Sequence, residues 1–140
     1  MSSRRHGREA ALQIIYLFDS GMTNVDTIPA AAWSAEPLTP KIKEFSRRLA
    51  WGVIGNQPSL DALIVKYAAN WEMKRMAAID RSVLRLAAYE ILHETETPIN
   101  VIINEALEIV KTYSTSESSK FVNGILDKIK EERPHGKSGS

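Results

Sequence analysis

The 140-residue chain contains no cysteine, and this absence removes several kinds of chemistry at once. Without thiols there is no disulfide framework, no thiol nucleophile and no cysteine-bound zinc or iron–sulfur centre. The three histidines stand at spacings that form no metal-ligand motif. The seven glycines are scattered and form no glycine-rich phosphate-binding loop. We therefore expect no metal, no cofactor and no enzymatic activity.

Long hydrophobic runs are also missing. The first 18 residues contain no uninterrupted apolar stretch of the kind found in a signal peptide, and no later segment approaches the roughly 18 apolar residues of a membrane span. At 44% hydrophobic and 25% charged residues, the composition is that of an ordinary globular domain. We expect a single cytoplasmic domain at 1–132, followed by a disordered tail at 133–140.

What the sequence does contain is helical periodicity, because apolar residues recur at three- and four-residue steps along most of the chain. Thr39 and Pro40 form a clear helix start, an N-cap hydroxyl followed by proline at the first helical position. The apolar run 101–103 could be a short buried strand, but the residues after it restore helical spacing. The prediction is an all-α compact bundle of six or seven helices. The predicted helical segments are 9–22, a short one near 26–33, 40–55, 56–71, 71–94, 97–114 and 114–134.

Positive charge is concentrated at the N-terminus. Residues 1–8 hold three arginines and no acidic residue, which leaves 15 of the 18 basic residues against all 17 acidic ones in the rest of the chain. Such asymmetry raises the question of an anionic partner. Composition alone favours a solvated tail over a binding site.

Two further features allow more than one interpretation. Gly124 interrupts a good helix beside Asn123, at a cost of about 1 kcal/mol relative to alanine, which suggests that another backbone approaches closely there. Arg81 and Arg85 lie one helical turn apart with Asp80 adjacent. That group is either a set of surface ion pairs or a docking face.

Four separated segments, RRHGREAALQIIY, IDRSVLRLAAYEI, TPINVIINEALEIVK and SSKFVNGILDKI, resemble the NusB family of bacterial antitermination factors in order and spacing. The resemblance runs from about Arg4 to Lys130. It implies an all-α fold of two packed helical subdomains, about 1–75 and 76–132, without enzymatic activity. It also implies binding to NusE, a small-subunit ribosomal protein, and to the single-stranded boxA element of nascent ribosomal RNA. The complex would help RNA polymerase resist termination.

The resemblance further implies roles for individual residues. At the N-terminus the RNA-binding positions are Arg4, Arg5, His6 and Arg8. At the start of the last helix they are Glu117, Ser118, Lys120 and Phe121. The NusE-binding positions are Tyr16, Asp80, Arg81 and Arg85. His6 stands where the family commonly has arginine, so RNA binding is expected to be weaker or dependent on pH. Phe121 is a candidate for stacking on a base, with core packing as the alternative.

Two other functions remain open at this point. The chain resembles the helical RNA-binding modules found at the front of certain RNA cytosine methyltransferases. A catalytic domain that follows the helical module would distinguish this alternative. Alternatively the bundle self-associates, since some members of the family are homodimers.

Overall fold

The computed structural model describes residues 3–21, 39–69 and 71–134, and in these ranges all regular secondary structure is helical. This confirms the all-α prediction, and it places the apolar run 101–103 within a helix. The short helix expected near 26–33 lies outside the described residues. The helices are α1 Ser3–Asp19, α2 Pro40–Gly55, α3 Gln57–Tyr67, α4 Ala78–His93, α5 Ile99–Tyr113 and α6 Ser116–Ile129, with 3₁₀ turns at Met73–Arg75 and Lys130–Glu132.

Side-chain caps fix two of the helix starts. The Thr39 hydroxyl accepts a hydrogen bond from the Ile42 amide at 3.2 Å, and the Thr115 hydroxyl accepts one from the Ser118 amide at 3.0 Å. Each satisfies a backbone N–H that has no partner in the first turn of its helix. The start of α6 is thereby set at Ser116, next to the positions implied to contact RNA.

Helix α4 begins seven residues later than the sequence predicts. The predicted helix starts at Trp71, whereas the structure has the 3₁₀ turn Met73–Arg75, and the backbone at Met76 is extended. The Arg81 guanidinium donates to the carbonyls of Met73 at 2.8 Å and Met76 at 3.0 Å. These hydrogen bonds stabilise the turn, and a continuous helix would remove them. Tertiary contacts therefore override the local helix propensity here.

The first of two compact units is Met1–Asn56, in which α1 packs against α2. The two helices meet through fully buried apolar side chains that include Ile14 and Leu49. At Gly7 an added Cβ would lie 3.0 Å from both Ile42 and Phe45. Glycine at this position therefore lets the two backbones approach closely.

The second unit is Gln57–Ser140, with α4 at its centre. Ten of the sixteen residues of α4 are buried, and it contacts α3, α5 and α6. The resemblance implies a subdomain boundary near residue 75, whereas the contacts divide the chain between Asn56 and Gln57. Helix α3 falls in the second unit because it packs against α4 and α6.

The folded chain continues past residue 132. The Arg133 guanidinium donates to the carbonyls of Ile91 at 2.7 Å, Thr97 at 2.8 Å and Glu94 at 3.1 Å, around the C-terminal end of α4. Carbonyls at a helix end lack intrahelical partners, so Arg133 satisfies groups that need a donor. Burial lowers the pKa of Arg133, while nearby Glu90 raises it. Residues 133 and 134 belong to the folded structure, and the rest of the expected tail, 135–140, lies outside the described residues.

Candidate nucleic-acid interface

Three arginines, two of them near the N-terminus, lie around one aromatic ring. The guanidinium of Arg4 lies 4.2 Å from the centre of the Phe45 ring, and those of Arg8 and Arg48 lie 5.4 and 5.5 Å from it. The negative face of an aromatic ring attracts guanidinium groups, so the ring holds three like charges close together. The first turn of α1 contains no acidic residue. The positive end of the helix dipole adds to this charge, which makes the start of α1 a favourable place for a phosphate.

The N-terminal residues implied to bind RNA differ in how accessible they are. Arg4 is exposed, and Arg5 and His6 are partly exposed. Arg8 is only 3% exposed, so protein covers its side chain. A phosphate cannot reach Arg8 in this structure, which argues against direct RNA contact, and its role in RNA binding stays a prediction. We interpret Arg8 as a support for Phe45.

At the start of α6, the implied RNA-binding residues also divide into exposed and supporting positions. Glu117 and Lys120 are exposed. Ser118 is partly buried, and its hydroxyl donates to a carboxylate oxygen of Asp80 at 2.7 Å. It also accepts a hydrogen bond from the Ser114 hydroxyl at 3.0 Å. Ser118 therefore ties the first turn of α6 to the first turn of α4.

Phe121 is partly exposed and makes an edge-to-face contact with Trp71, with ring centres 5.7 Å apart and an interplanar angle of 66°. Trp71 is 48% exposed, which is unusual for so large an apolar side chain. Periodicity predicts a helix that starts at Trp71 and assigns this residue no binding role. A tryptophan flanked by Asn70 and Glu72 was the available signal, because polar neighbours on both sides are typical of an exposed position.

Of the four residues implied to bind NusE, Tyr16 is the most accessible, at 38% exposed. Asp80 is buried and accepts the Ser118 hydrogen bond. Arg81 is partly buried and donates to the Met73 and Met76 carbonyls.

Arg85 is buried as well. Its guanidinium makes a two-pronged ion pair with Asp61, at 2.7 Å for Nε–Oδ1 and 2.9 Å for Nη2–Oδ2. This burial argues against a docking face formed by the charged groups of Asp80, Arg81 and Arg85, and their role in NusE binding stays a prediction. The guanidinium groups of Arg81 and Arg85 and one carboxylate oxygen of Asp80 make hydrogen bonds inside the second unit, whereas the other Asp80 oxygen is buried without a partner. Pairing offsets the large desolvation cost of burying charged groups.

Among residues 3–21, 39–69 and 71–134, no group of three or more histidine, aspartate or glutamate side chains could hold a metal ion. Within the same ranges, no helix is both long and apolar enough to cross a membrane.

Comparison with known proteins decides the family. A sequence model described as the NusB family matches residues 5–131. The chain belongs to the NusB family. It is 43% identical to the transcription antitermination protein NusB of Symbiobacterium thermophilum, over 91% of this chain and 88% of the relative.

Solved structures of NusB proteins have the same fold. A T. maritima NusB crystal structure is 40% identical to this chain, with a TM-score of 0.85 over 93% of this chain and 92% of the other. A crystal structure of the antitermination factors NusB and NusE in complex with double-stranded RNA has a TM-score of 0.85 over 94% of this chain and 98% of the other. At 21% identity, that likeness shows the fold alone. The curated relatives are named as transcription antitermination proteins, and the prediction of a non-enzymatic role agrees with membership of that family.

Proposed function

We propose that this NusB-family chain is a transcription antitermination factor that acts in the cytoplasm. It binds the boxA element of nascent ribosomal RNA together with a NusE-type ribosomal protein, and it helps RNA polymerase resist termination on ribosomal RNA operons. The name of the relatives and the NusB–NusE–RNA composition of a structure with the same fold support the proposal. The observation that carries it is the arginine cluster around Phe45, at a helix start without acidic residues.

The geometry of this cluster suits phosphate binding. Arg4 is exposed and ordered against the Phe45 ring, so its guanidinium loses little freedom when a phosphate approaches. Arg5 and the positive end of α1 add to the attraction. Few phosphate contacts give modest affinity, and that affinity falls steeply with salt. A partner that contributes further contacts would then be needed for tight binding.

The arginine cluster can be tested with the double variant Arg4→Ala/Arg5→Ala. The slope of log affinity against log salt is negative, and each lost contact to single-stranded RNA makes it shallower by about 0.7. The magnitude of the slope should therefore decrease by about 1.4 in this variant. The measurement is fluorescence anisotropy of labelled boxA RNA between about 50 and 200 mM salt.

A matched control is Lys128→Ala/Lys130→Ala, which removes the same charge near the C-terminal end of α6, away from Lys120. The control should keep the parental slope. Equal slopes for the arginine variant and the parent would show that the cluster is only a solvated terminus. Circular dichroism checks that each variant remains helical.

NusE binding is proposed for the exposed side chain of Tyr16 on α1, while Asp80, Arg81 and Arg85 shape the second unit from within. A NusE-type ribosomal protein should be retained on the immobilised chain. Tyr16→Ala should weaken that retention by roughly 5- to 100-fold, the range for a central interface tyrosine. Tyr113→Ala removes a tyrosine that is 52% exposed on α5 and serves as the control. Equal losses in both variants, or no retention by the parent, would contradict the assignment.

A further inference from the structure

We propose that the indole of Trp71 is a stacking platform for one unpaired RNA base, and that Phe121 is the residue that positions it. The inference rests on the proposed RNA-binding function and deepens it. It assigns the stacking role implied for Phe121 to the neighbouring Trp71 instead. The ligand is a single-stranded nucleobase, and no particular base is required, because every base presents a π-face.

The first observation is the exposure of the indole. Trp71 leaves 48% of its surface in water, although burial of an aromatic side chain is strongly favourable. Phe121 contacts it edge to face, with an interplanar angle of 66°. Two rings in this arrangement leave no parallel slot between them for a base. The base therefore stacks on the more exposed ring, and the other ring braces it.

The second observation is that the backbone around Trp71 is held in place. Its amide donates to the Ala68 carbonyl at 3.2 Å, and Ala69 adopts a positive φ of 34° where the chain leaves α3. A positive φ is costly for a residue other than glycine, so the surrounding structure must enforce this turn. On the other side, the Arg81 guanidinium holds the carbonyls of Met73 and Met76. Backbone bonds on both sides of Trp71 lower the cost of ordering this platform when a base binds.

The third observation is the mixed charge of the neighbouring residues in the chain. Lys74, Arg75 and Lys120 are exposed, but so are Glu72 and Glu117. This balance gives little net attraction for phosphates, in contrast to the acid-free start of α1. An exposed aromatic ring in such surroundings is suited to the uncharged face of a base. Trp71 also contacts Phe121, which is one of the α6 positions that the family resemblance links to RNA.

The test compares Trp71→Leu and Trp71→Phe, with Tyr113→Leu as a control for loss of an exposed aromatic side chain. Loss of one stacked base should weaken RNA binding about 5- to 100-fold in Trp71→Leu, and much less in Trp71→Phe. The salt slope should stay at the parental value, because no phosphate contact is removed. Tyr113→Leu should bind as the parent does.

RNA oligonucleotides with a single abasic position sharpen the test. The parent should lose affinity at one position along the strand, and Trp71→Leu should no longer be sensitive there, since the two changes remove the same contact. The indole emission of the unmodified protein should also change on RNA addition, with the change absent from Trp71→Phe. This spectroscopic readout does not depend on how well the leucine variant folds.

The outcomes separate this inference from the proposed function. If the parent binds RNA and the arginine variant shows the reduced salt slope, but Trp71→Leu binds normally, the stacking platform is refuted and the proposed function stands. If Trp71→Leu loses only the NusE-type protein, Trp71 is a protein contact and the inference is equally wrong. If the unmodified protein does not bind RNA, both fail.

Discussion

The ion pair between Arg85 and Asp61 gives the sharpest prediction about what holds the second unit together. The two side chains differ in exposure, since 5% of the Arg85 side chain and 25% of the Asp61 side chain reach solvent. When one partner is removed, the charge of the other remains at its own degree of burial. The cost should therefore depend on which partner is removed.

The magnitudes follow from this asymmetry. Asp61→Ala leaves a buried guanidinium without its carboxylate, for which we expect a loss of about 3–5 kcal/mol in the free energy of unfolding. Arg85→Met leaves a carboxylate that can regain water, and methionine fills part of the space. The expected loss is then nearer 2 kcal/mol. The double variant should be less destabilised than the sum of the two, since the pair is lost only once.

Urea unfolding followed by circular dichroism at pH 7 measures all three variants. The NusE-retention assay on the folded Arg85→Met protein is the second readout, and it should match the parent. A loss below about 0.5 kcal/mol in both single variants would refute the buried-pair reasoning. Normal stability combined with lost retention would return Arg85 to the partner interface that the family resemblance implies.

Four further predictions concern single positions. Gly124→Ala should raise the free energy of unfolding by about 0.5–1 kcal/mol, because an added Cβ meets nothing within 4 Å and alanine favours the helix. Gly7→Ala should instead lower the free energy of unfolding by about 1 kcal/mol, since its Cβ would press on the buried Phe45 ring at 3.0 Å. Urea midpoints compare the two variants, and a change in stability of the same sign in both would contradict the argument. Two hydrogen bonds lower the pKa of Glu132 from its ordinary 4.5: the larger effect comes from the Tyr67 hydroxyl and the smaller from the Lys66 ammonium. The stabilisation is fully present above pH 4.5 and is lost as pH falls through the lowered pKa, so Glu132→Gln should flatten the acid limb of the unfolding curve, and an unchanged limb would count against it. His6→Arg should strengthen RNA binding and raise the salt slope by about 0.7, and titration at two salt concentrations will show whether it does.

The helices were predictable where local signals agree with packing. The Thr39–Pro40 start of α2 is an example, because the cap hydroxyl and the proline act within a few residues of one another. The start of α4 was not predictable, because the turn before it depends on hydrogen bonds from the Arg81 side chain to Met73 and Met76. Periodicity cannot show such a bond.

The candidate site shows the same division. The arginine cluster is visible in the sequence as charge, but its ordering by Phe45 needs the α1–α2 packing. The burial of Arg8 and Arg85 is also a tertiary property, since arginine is usually exposed. At Gly124 the expectation that another backbone approaches closely is wrong. In the part of the chain that the structure describes, no backbone approaches it, and an added Cβ would meet open space.

The most direct test of the central claim is the affinity of this chain for boxA RNA, measured with and without a NusE-type ribosomal protein at one salt concentration. We expect weak binding by the chain alone, weak binding by the partner alone, and binding at least about tenfold tighter when both are present, a coupling of roughly 1.4 kcal/mol. Equal affinities of the chain with and without the partner would contradict the account.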